Sequence, residues 1–292
     1  MLGRIIKGIA GFYYVYVEGK GTYECKAKGI FRNRKEKPLV GDYVSIDILN
    51  EQDKEGNIRE ILERKNSLIR PNVANVDQAI VVFAAAKPDP HLNLLDRFLI
   101  QMERQNIKTI ICFNKRDIAS EQQKRELEQV YKPCGYPVIF STTYEKEGTK
   151  DLREFLKGKT TVLAGPSGVG KSSILNTLSE NFKMETGAIS QKIARGKHTT
   201  RHSQLIFIEE NTYIVDTPGF SSFDLNDMEE NELKQYFPEF LSYEEECQFI
   251  GCMHKKEPVC GVKQAVEKGS IHEKRYQNYL DLCEEIKSKK KW

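Results

Sequence analysis

The sequence has no long hydrophobic run. Its best candidate, Ala79 to Ala86, has the length of a buried strand and falls far short of the roughly 20 residues that a membrane-spanning helix needs. A secretory signal is not recognisable either, because Arg4 and Lys7 are followed by Gly8 and a Tyr-rich alternating segment instead of an apolar core and a cleavage site. These absences argue against a membrane or secreted protein, and we expect a cytoplasmic chain with no membrane partner.

An excess of charge of one sign is also lacking. The 292 residues include 45 Lys and Arg against 42 Asp and Glu, and a net charge of +3 is too small to indicate a nucleic-acid partner by itself. With 39% hydrophobic and 30% charged residues, the composition is that of a soluble globular protein of two or three domains. In the cytoplasm, the seven cysteines are interpreted as thiols or metal ligands before disulfides.

What the sequence does contain is a phosphate-binding pattern near its middle. An apolar strand, Thr160 to Ala164, leads into G-x-x-x-x-G-K-S and then a helix. Glycines let backbone N–H groups close around phosphate oxygens at a helix N-terminus, Lys171 adds a positive charge for the β- and γ-phosphates, and the Ser172 hydroxyl suits Mg²⁺. The predicted nucleotide-binding residues of this P-loop are Gly165, Pro166, Ser167, Gly168, Val169, Gly170, Lys171, Ser172 and Ser173.

A second pattern predicts that the base is guanine. Asn114-Lys115-Arg116-Asp117 directly follows an apolar strand, and the Asp117 carboxylate can accept from both N1–H and the 2-amino group of guanine, whereas adenine has neither donor. We expect Asn114 to brace this loop and the Lys115 stem to lie against the base. Ser141 and Thr142, which follow the next strand, are predicted to join the nucleotide site. A generic P-loop ATPase or kinase is disfavoured by Asp117.

A third pattern, Asp216-Thr217-Pro218-Gly219, completes the predicted phosphate site. Asp216 is expected to reach Mg²⁺ through water, and the Gly219 N–H to sense the γ-phosphate. The second Mg²⁺ ligand is Thr199 or Thr200, in the segment Gly196-Lys197-His198-Thr199-Thr200-Arg201, and the sequence does not decide between them. Phe220 stands where a water-positioning glutamine is common, so we expect slow GTP hydrolysis by the protein alone.

The order of these motifs indicates a circular permutation. A conventional GTPase has its P-loop before the Asn-Lys-x-Asp loop, whereas here the P-loop comes after it. In the middle of the chain, apolar strands alternate with helices, which indicates a parallel sheet. We therefore predict an α/β fold built on a permuted P-loop GTPase sheet over residues 67–225, between an OB-like β-barrel at 1–66 and a helical zinc-binding domain at 226–292. The barrel carries a basic loop, which suits nucleic acid or is simply solvated: Arg32, Arg34, Lys35 and Lys37.

The charge pattern of the C-terminal segment predicts a helix from Met228 to Phe237, and the segment also contains a potential metal site. Cys247, Cys252, His254 and Cys260 supply three thiolates and one imidazole within fourteen positions, which is a complete tetrahedral shell for one structural Zn²⁺. The alternative is that these are scattered core cysteines, the role that we assign to Cys25, Cys112, Cys134 and Cys283.

Over essentially its whole length the chain resembles the RsgA (YjeQ/YloQ) family of circularly permuted GTPases that depend on the small ribosomal subunit. The resemblance implies a monomer that binds the 30S subunit and its 16S rRNA late in maturation, hydrolyses GTP with Mg²⁺ when docked, and leaves in the GDP state. It also suggests that His198 orients the attacking water in place of the missing glutamine; a solvated or RNA-facing His198 is the alternative. In catalysis, Lys171 and Mg²⁺ are expected to stabilise charge on the γ-phosphoryl group. Two other interpretations remain open, a nucleotide-gated binding module and a permuted GTPase of the large subunit.

Overall fold

The computed structural model describes residues 1–29, 31, 36–69, 71–145, 148–186, 203–216, 225 and 227–289. Its strands are β1 Leu2–Ile9, β2 Phe12–Val17, β3 Gly21–Ala27, β4 Tyr43–Asn50, β5 Glu55–Ile61, β6 Ser67–Leu68, β7 Val73–Ala74, β8 Gln78–Ala84, β9 Lys108–Asn114, β10 Val138–Phe140, β11 Thr160–Ala164, β12 Gln204–Glu209 and β13 Thr212–Asp216. Its α-helices are α1 Leu92–Arg104, α2 Glu121–Tyr131, α3 Lys150–Leu156, α4 Lys171–Thr186, α5 Pro238–Leu241, α6 Gly261–Glu267 and α7 Glu273–Lys289. Short 3-10 turns cover Arg116–Ile118, Lys132–Cys134, Leu233–Tyr236 and Glu244–Glu246.

The chain forms two compact units. The first contains Met1–Ala79, Arg153–Leu163 and Leu175–Phe220, and the second contains Ile80–Leu152, Ala164–Ile174 and Ser221–Trp292. Among the described residues, no helix is long and apolar enough to cross a membrane.

The first unit contains a five-stranded barrel. Strand β1 pairs antiparallel with β2 and β4, β2 pairs with β3, and β5 closes the ring between β3 and β4. Alternate side chains along these strands point inward, and their apolar members form a solvent-excluded core: Ile5, Val15, Tyr23, Val44 and Ile58. The structure confirms the predicted small barrel, which has five strands.

The strands that lead to the phosphate motifs extend this sheet within the same unit. Strand β11 pairs parallel with β13, β13 pairs antiparallel with β12, and β12 meets the barrel strand β1 at Gln204 and Lys7. The antiparallel β12 departs from the parallel sheet that the apolar strands indicated. Because only two residues, Glu210 and Asn211, join β12 to β13, they form a hairpin, which cannot produce parallel pairing.

Arg4 connects the barrel to strands β11 and β13. Its guanidinium is buried and donates to Thr160 Oγ1 in β11 at 2.7 Å and to the Gly41 carbonyl oxygen at 3.4 Å. It also lies between the rings of Tyr43 and Tyr213, 5.0 and 4.6 Å from their centroids. A single barrel side chain therefore contacts the start of both strands that carry the phosphate motifs.

Replacing Arg4 with methionine is expected to lower the free energy of unfolding by roughly 2–4 kcal/mol, because the change leaves buried oxygen atoms without their donor. Urea unfolding followed by circular dichroism measures this loss. Lys26→Met is the matched control, since Lys26 is an exposed barrel cation 5.1 Å from the Phe12 ring and should cost under about 1 kcal/mol. Equal losses in the two variants would contradict the role of Arg4 as a buried joint.

The second unit is built on β8, β9 and β10, with β9 between its two neighbours and β10 parallel to β9. Strand β8 is buried along its whole length, as expected for a strand covered on both faces. Helix α1 packs Leu95, Phe98 and Leu99 into the core, where the Phe98 ring makes an edge contact with Phe83 at 5.9 Å. The predicted alternation of apolar strands and helices is confirmed here.

The C-terminal part of this unit is helical around its own apolar core, which includes Phe240, Val262, Tyr279 and Leu282. One prediction was wrong. The charge pattern indicated a helix from Met228 to Phe237, whereas the structure has turns and a 3-10 segment over Leu233–Tyr236. Pro238 begins α5, and proline disfavours helical backbone in the residue before it, so Phe237 is not helical, with ψ at 84°.

A buried charge cluster holds α7 against α1 and α5. Arg275 of α7 forms ion pairs with Asp96 of α1 at 2.5 Å and with Glu239 of α5 at 2.7 Å, and all three side chains are almost completely excluded from solvent. Asn278 donates to Asp96 at 2.6 Å, and the Tyr131 hydroxyl donates to the same carboxylate at 3.0 Å. Burial raises the pKa of Asp96, and the positive charge of Arg275 is the main factor that lowers it.

Candidate nucleotide site and metal centre

The P-loop lies between β11 and α4, and two of its glycines are sterically required. A Cβ on Gly165 would stand 2.1 Å from the Val82 carbonyl oxygen, and one on Gly170 would stand 2.3 Å from Asn114 Nδ2. Both glycines have positive φ angles, 136° and 98°, which side chains disfavour. These glycines are thus required by close contacts with the neighbouring strands as well as by access to phosphate.

Helix α4 begins at Lys171, so its first turn presents backbone N–H groups and a positive dipole end at this loop. The Lys171 ammonium donates to the carbonyl oxygens of Gly165 and Pro166 at 2.7 and 2.6 Å. Burial lowers the pKa of this ammonium. Ser172 and Ser173 are exposed on the same turn. A hydroxyl beside an ammonium at a helix N-terminus fits a Mg²⁺-bound polyphosphate.

Asn114 connects the P-loop to the predicted guanine loop. It is buried at the end of β9, where its Nδ2 donates to the Val169 carbonyl oxygen at 2.9 Å. Its Oδ1 accepts from the Ser141 hydroxyl at 3.1 Å. The structure therefore brings together three segments that the sequence separates, those around Asn114, Ser141 and Val169.

Asp117 is exposed on the 3-10 turn that follows Asn114 and Lys115. The Thr142 hydroxyl donates to Asp117 Oδ1 at 2.6 Å and thereby orients the carboxylate. Lys115 has a left-handed backbone, with φ at 62°, and its ammonium donates to the Lys87 carbonyl oxygen at 2.7 Å. An oriented, accessible carboxylate is what the recognition of two guanine donors requires.

Sequence reasoning missed Gly148, which supports Thr142. The Thr142 N–H donates to the Gly148 carbonyl oxygen at 3.1 Å, and a Cβ on Gly148 would stand only 2.3 Å from the Thr142 carbonyl oxygen. The available signal was a lone glycine six residues after Thr142, in a loop that must fold back on itself.

Asp216 lies at the end of β13 in the first unit. The parallel register pairs Val215 with Val162, so β13 ends at the same edge of the sheet as β11, the strand that runs into the P-loop. Several predicted residues lie outside the described part of the chain: His198, Thr199, Thr200, Gly219 and Phe220, together with Arg32, Arg34 and Lys35 of the basic loop. Lys37 of that loop is described, and its carbonyl oxygen accepts from Arg64 at 2.7 Å.

Cys247, Cys252, His254 and Cys260 come together in the second unit, and their ligand atoms all lie within 4.8 Å of one another. His254 Nδ1 lies 3.3 Å from Cys260 Sγ and 3.6 Å from Cys247 Sγ. Burial raises the pKa of the Cys252 and Cys260 thiols, so these sulfurs need a cation in order to ionise. Three sulfurs and one nitrogen in this arrangement fit a tetrahedral Zn²⁺.

A second layer of contacts fixes the histidine of this cluster. His254 Nε2 lies 3.3 Å from Glu244 Oε1, which orients Nδ1 toward the sulfurs, and Lys234 pairs with the same carboxylate at 2.9 Å. The Tyr276 hydroxyl donates to the His254 carbonyl oxygen at 2.6 Å. His254 itself has a left-handed backbone, with φ at 56°, a strained conformation for a residue with a side chain.

The other cysteines belong to apolar cores, as predicted: Cys25, Cys112, Cys134 and Cys283 are all buried. Burial raises the pKa of Cys112 to about 12 and that of Cys283 to about 11, so these thiols stay protonated.

Replacing Cys260 with serine is expected to reduce bound zinc from about one ion per chain to near zero. Only three of the four ligands then remain, and the serine hydroxyl is a poor substitute for a thiolate. Atomic absorption on the purified full chain measures this. Cys283→Ser is the matched control, because Cys283 is buried in α7 outside the cluster, and it should keep its zinc. Equal zinc contents in the two variants would contradict the assignment.

A P-loop strand and helix, preceded in the chain by the predicted guanine loop that Asn114 connects to the P-loop, define a circularly permuted P-loop GTPase. A family model described as RsgA GTPase matches residues 61–226, and one described as RsgA N-terminal domain matches residues 2–58. The chain belongs to the RsgA GTPase family and is a GTP hydrolase.

Relatives and solved structures of this family match the chain along its length. A small ribosomal subunit biogenesis GTPase RsgA of Agathobacter rectalis is 55% identical, with 100% of both chains covered, and one of Alkaliphilus metalliredigens is 51% identical, with 99% of both covered. The crystal structure of YloQ, described as a circularly permuted GTPase, has a TM-score of 0.80 at 41% identity and covers 98% of this chain and 95% of its own. YjeQ from Thermotoga maritima has a TM-score of 0.80 at 37% identity and covers 98% of each chain. The predicted family and permuted fold are confirmed.

Proposed function

We propose that this GTPase binds the 30S ribosomal subunit, acts in its late maturation, and hydrolyses GTP to GDP and phosphate when docked there. The names of relatives that span the whole chain support a role at the small subunit. The observation that carries the nucleotide assignment is the pair of hydrogen bonds that Asn114 makes to Val169 and Ser141, since these unite the base loop and the phosphate loop in one site.

In this proposal each part of the site has one task. The Asp117 carboxylate, held by Thr142, accepts from guanine, while the Lys115 stem covers the base. The backbone N–H groups of the P-loop bind the phosphates, and the Lys171 ammonium exchanges its two carbonyl partners for phosphate oxygens and stabilises negative charge as the γ-phosphoryl group transfers.

The Mg²⁺ that accompanies GTP would be held by the Ser172 hydroxyl, by Thr199 or Thr200, and by Asp216 through water. When bound, it neutralises charge on the β- and γ-phosphate oxygens. Gly219 would sense the γ-phosphate. His198 is our candidate for the residue that orients the attacking water, because Phe220 cannot do so. We therefore propose slow turnover by the free protein.

The remaining modules would serve binding. We propose domains at 1–66, 67–225 and 226–292, with one structural Zn²⁺ on Cys247, Cys252, His254 and Cys260. The barrel and the zinc domain would contact 16S rRNA, and binding should weaken steeply with salt. A monomer in the cytoplasm is consistent with this partner.

Steady-state GTP turnover with purified 30S subunits tests the proposal, with 50S subunits as the control. We expect stimulation of at least about tenfold by 30S alone, because completing the catalytic group of such a site commonly accelerates hydrolysis by much more than tenfold. Lys171→Ala should abolish the stimulated rate. Stimulation by 50S would indicate a large-subunit GTPase, whereas nucleotide-dependent 30S binding without stimulated turnover would indicate a gated binding module.

A further inference from the structure

Gln204 faces Asp216 across the first unit's hairpin. Strands β12 and β13 are antiparallel, and their register places these two residues directly opposite each other. Opposed residues in an antiparallel pair project from the same face of the sheet. The amide nitrogen Nε2 of Gln204 lies 3.5 Å from Asp216 Oδ2, at the long end of the hydrogen-bond range.

The backbone of Gln204 is fixed on its other side by the barrel. Gln204 is the residue at which β12 pairs with β1, and its partner there is Lys7. Strand β1 in turn pairs with β2 and β4 of the closed barrel. One row of paired residues therefore crosses three hydrogen-bonded strands: Lys7, Gln204 and Asp216. The backbone of Gln204 is held by a neighbouring strand on each side.

An amide suits this position for a chemical reason. A carboxylate that holds a metal-bound water needs one oxygen fixed by a donor, and a neutral amide supplies that donor without adding charge. A lysine or arginine would compete with Mg²⁺ for the carboxylate, and an acidic residue would repel it. A glutamine opposite Asp216 orients the carboxylate and leaves its negative charge available.

We propose that Gln204 is a positioning residue for the Asp216 carboxylate and thereby tunes how strongly nucleotide binding depends on Mg²⁺. The proposal rests on the role suggested above for Asp216. Because Gln204 pairs with Lys7 of β1 as well as with Asp216, the proposal also gives the barrel strand β1 a part in holding the Asp216 carboxylate.

The test is Gln204→Met, which keeps the length of the side chain and removes its donor. Affinity for a fluorescent non-hydrolysable GTP analogue is measured over a series of Mg²⁺ concentrations and again in EDTA. We expect the Mg²⁺ concentration for half-maximal tightening to rise about tenfold, while the affinity in EDTA stays within about twofold of the wild type. A purely structural change would lower the affinity equally under both conditions, and that result, or an unchanged Mg²⁺ requirement, would overturn the proposal.

Glu209→Gln is the matched control, because Glu209 pairs with Thr212 near the other end of the same two strands and should alter neither measurement. A double-mutant cycle with Asp216→Asn completes the test. If Gln204 acts through Asp216, Gln204→Met has no further effect on the Mg²⁺ requirement once Asp216 is replaced. Independent, additive effects would overturn the proposal. An Asp216→Asn variant with normal Mg²⁺ dependence would overturn the assigned role of Asp216 itself, whereas a large Asp216→Asn effect without any effect of Gln204→Met would overturn only the role of Gln204.

Discussion

Replacing Asp117 with asparagine is expected to weaken GTP binding by at least about a hundredfold and to favour xanthosine triphosphate. The Thr142 hydroxyl donates to Asp117 Oδ1, and an asparagine Oδ1 preserves this bond. The substitution therefore changes only Oδ2, which becomes an amide N–H donor. This donor is repelled by the 2-amino group of guanine, whereas it can donate to the carbonyl oxygen that xanthine has at the same position.

Competition between unlabelled GTP and xanthosine triphosphate for a fluorescent guanine nucleotide measures this change. Asp151→Asn is the matched control, because Asp151 is exposed in the first turn of α3 and should leave the preference intact. An Asp117→Asn variant that still prefers GTP by the wild-type ratio would contradict the assignment of Asp117 to the base.

Replacing Arg275 with methionine is expected to lower the free energy of unfolding by about 3–5 kcal/mol. Methionine keeps most of the side-chain volume but leaves Asp96 and Glu239 buried without their cation. Urea unfolding followed by circular dichroism measures the loss. Lys124→Met removes a helix-surface pair with Glu121 whose carboxylate is exposed and should cost under about 0.5 kcal/mol.

A triple variant separates charge from packing in this cluster. Combining Arg275→Met with Asp96→Asn and Glu239→Gln removes the two uncompensated negative charges, so we expect it to recover part of the lost stability. If the single and triple variants are equally unstable, the loss comes from the packing of Arg275 against Phe237, whose ring centroid lies 4.4 Å away, and the electrostatic explanation is wrong.

Where the chemistry is local, the structure brings together the residues that the sequence groups. The P-loop, the Asn114 to Asp117 loop and the four candidate zinc ligands are short patterns whose spacing implies their geometry. Apolar runs fill β8 and most of β9, which made the sheet of the second unit predictable as well.

The contacts that join these parts were not predictable, because they link residues far apart in the chain. No pattern near Arg4 indicates that it reaches Thr160, and nothing near Gln204 indicates that it faces Asp216 and pairs with Lys7. In the sequence, Arg275 and Glu239 each look like ordinary surface charges. The helix predicted from Met228 to Phe237 was wrong, because charge spacing is a weak signal and Pro238 disfavours helical backbone in the residue before it.

The partners in the Arg275 cluster are synthesised at different times, because Asp96 lies in α1 and Arg275 lies in α7. Asn278 of α7 lies 182 residues beyond its partner Asp96 in the chain, so Asp96 emerges during translation about 10–40 s before the helix that neutralises it. Until α7 arrives, α1 carries a carboxylate that has to remain hydrated or protonated, and the second unit cannot close its core around it. A chain that terminates before α7 therefore lacks the core residues of that helix, and we expect proteases to cut it more readily than a chain that contains α7.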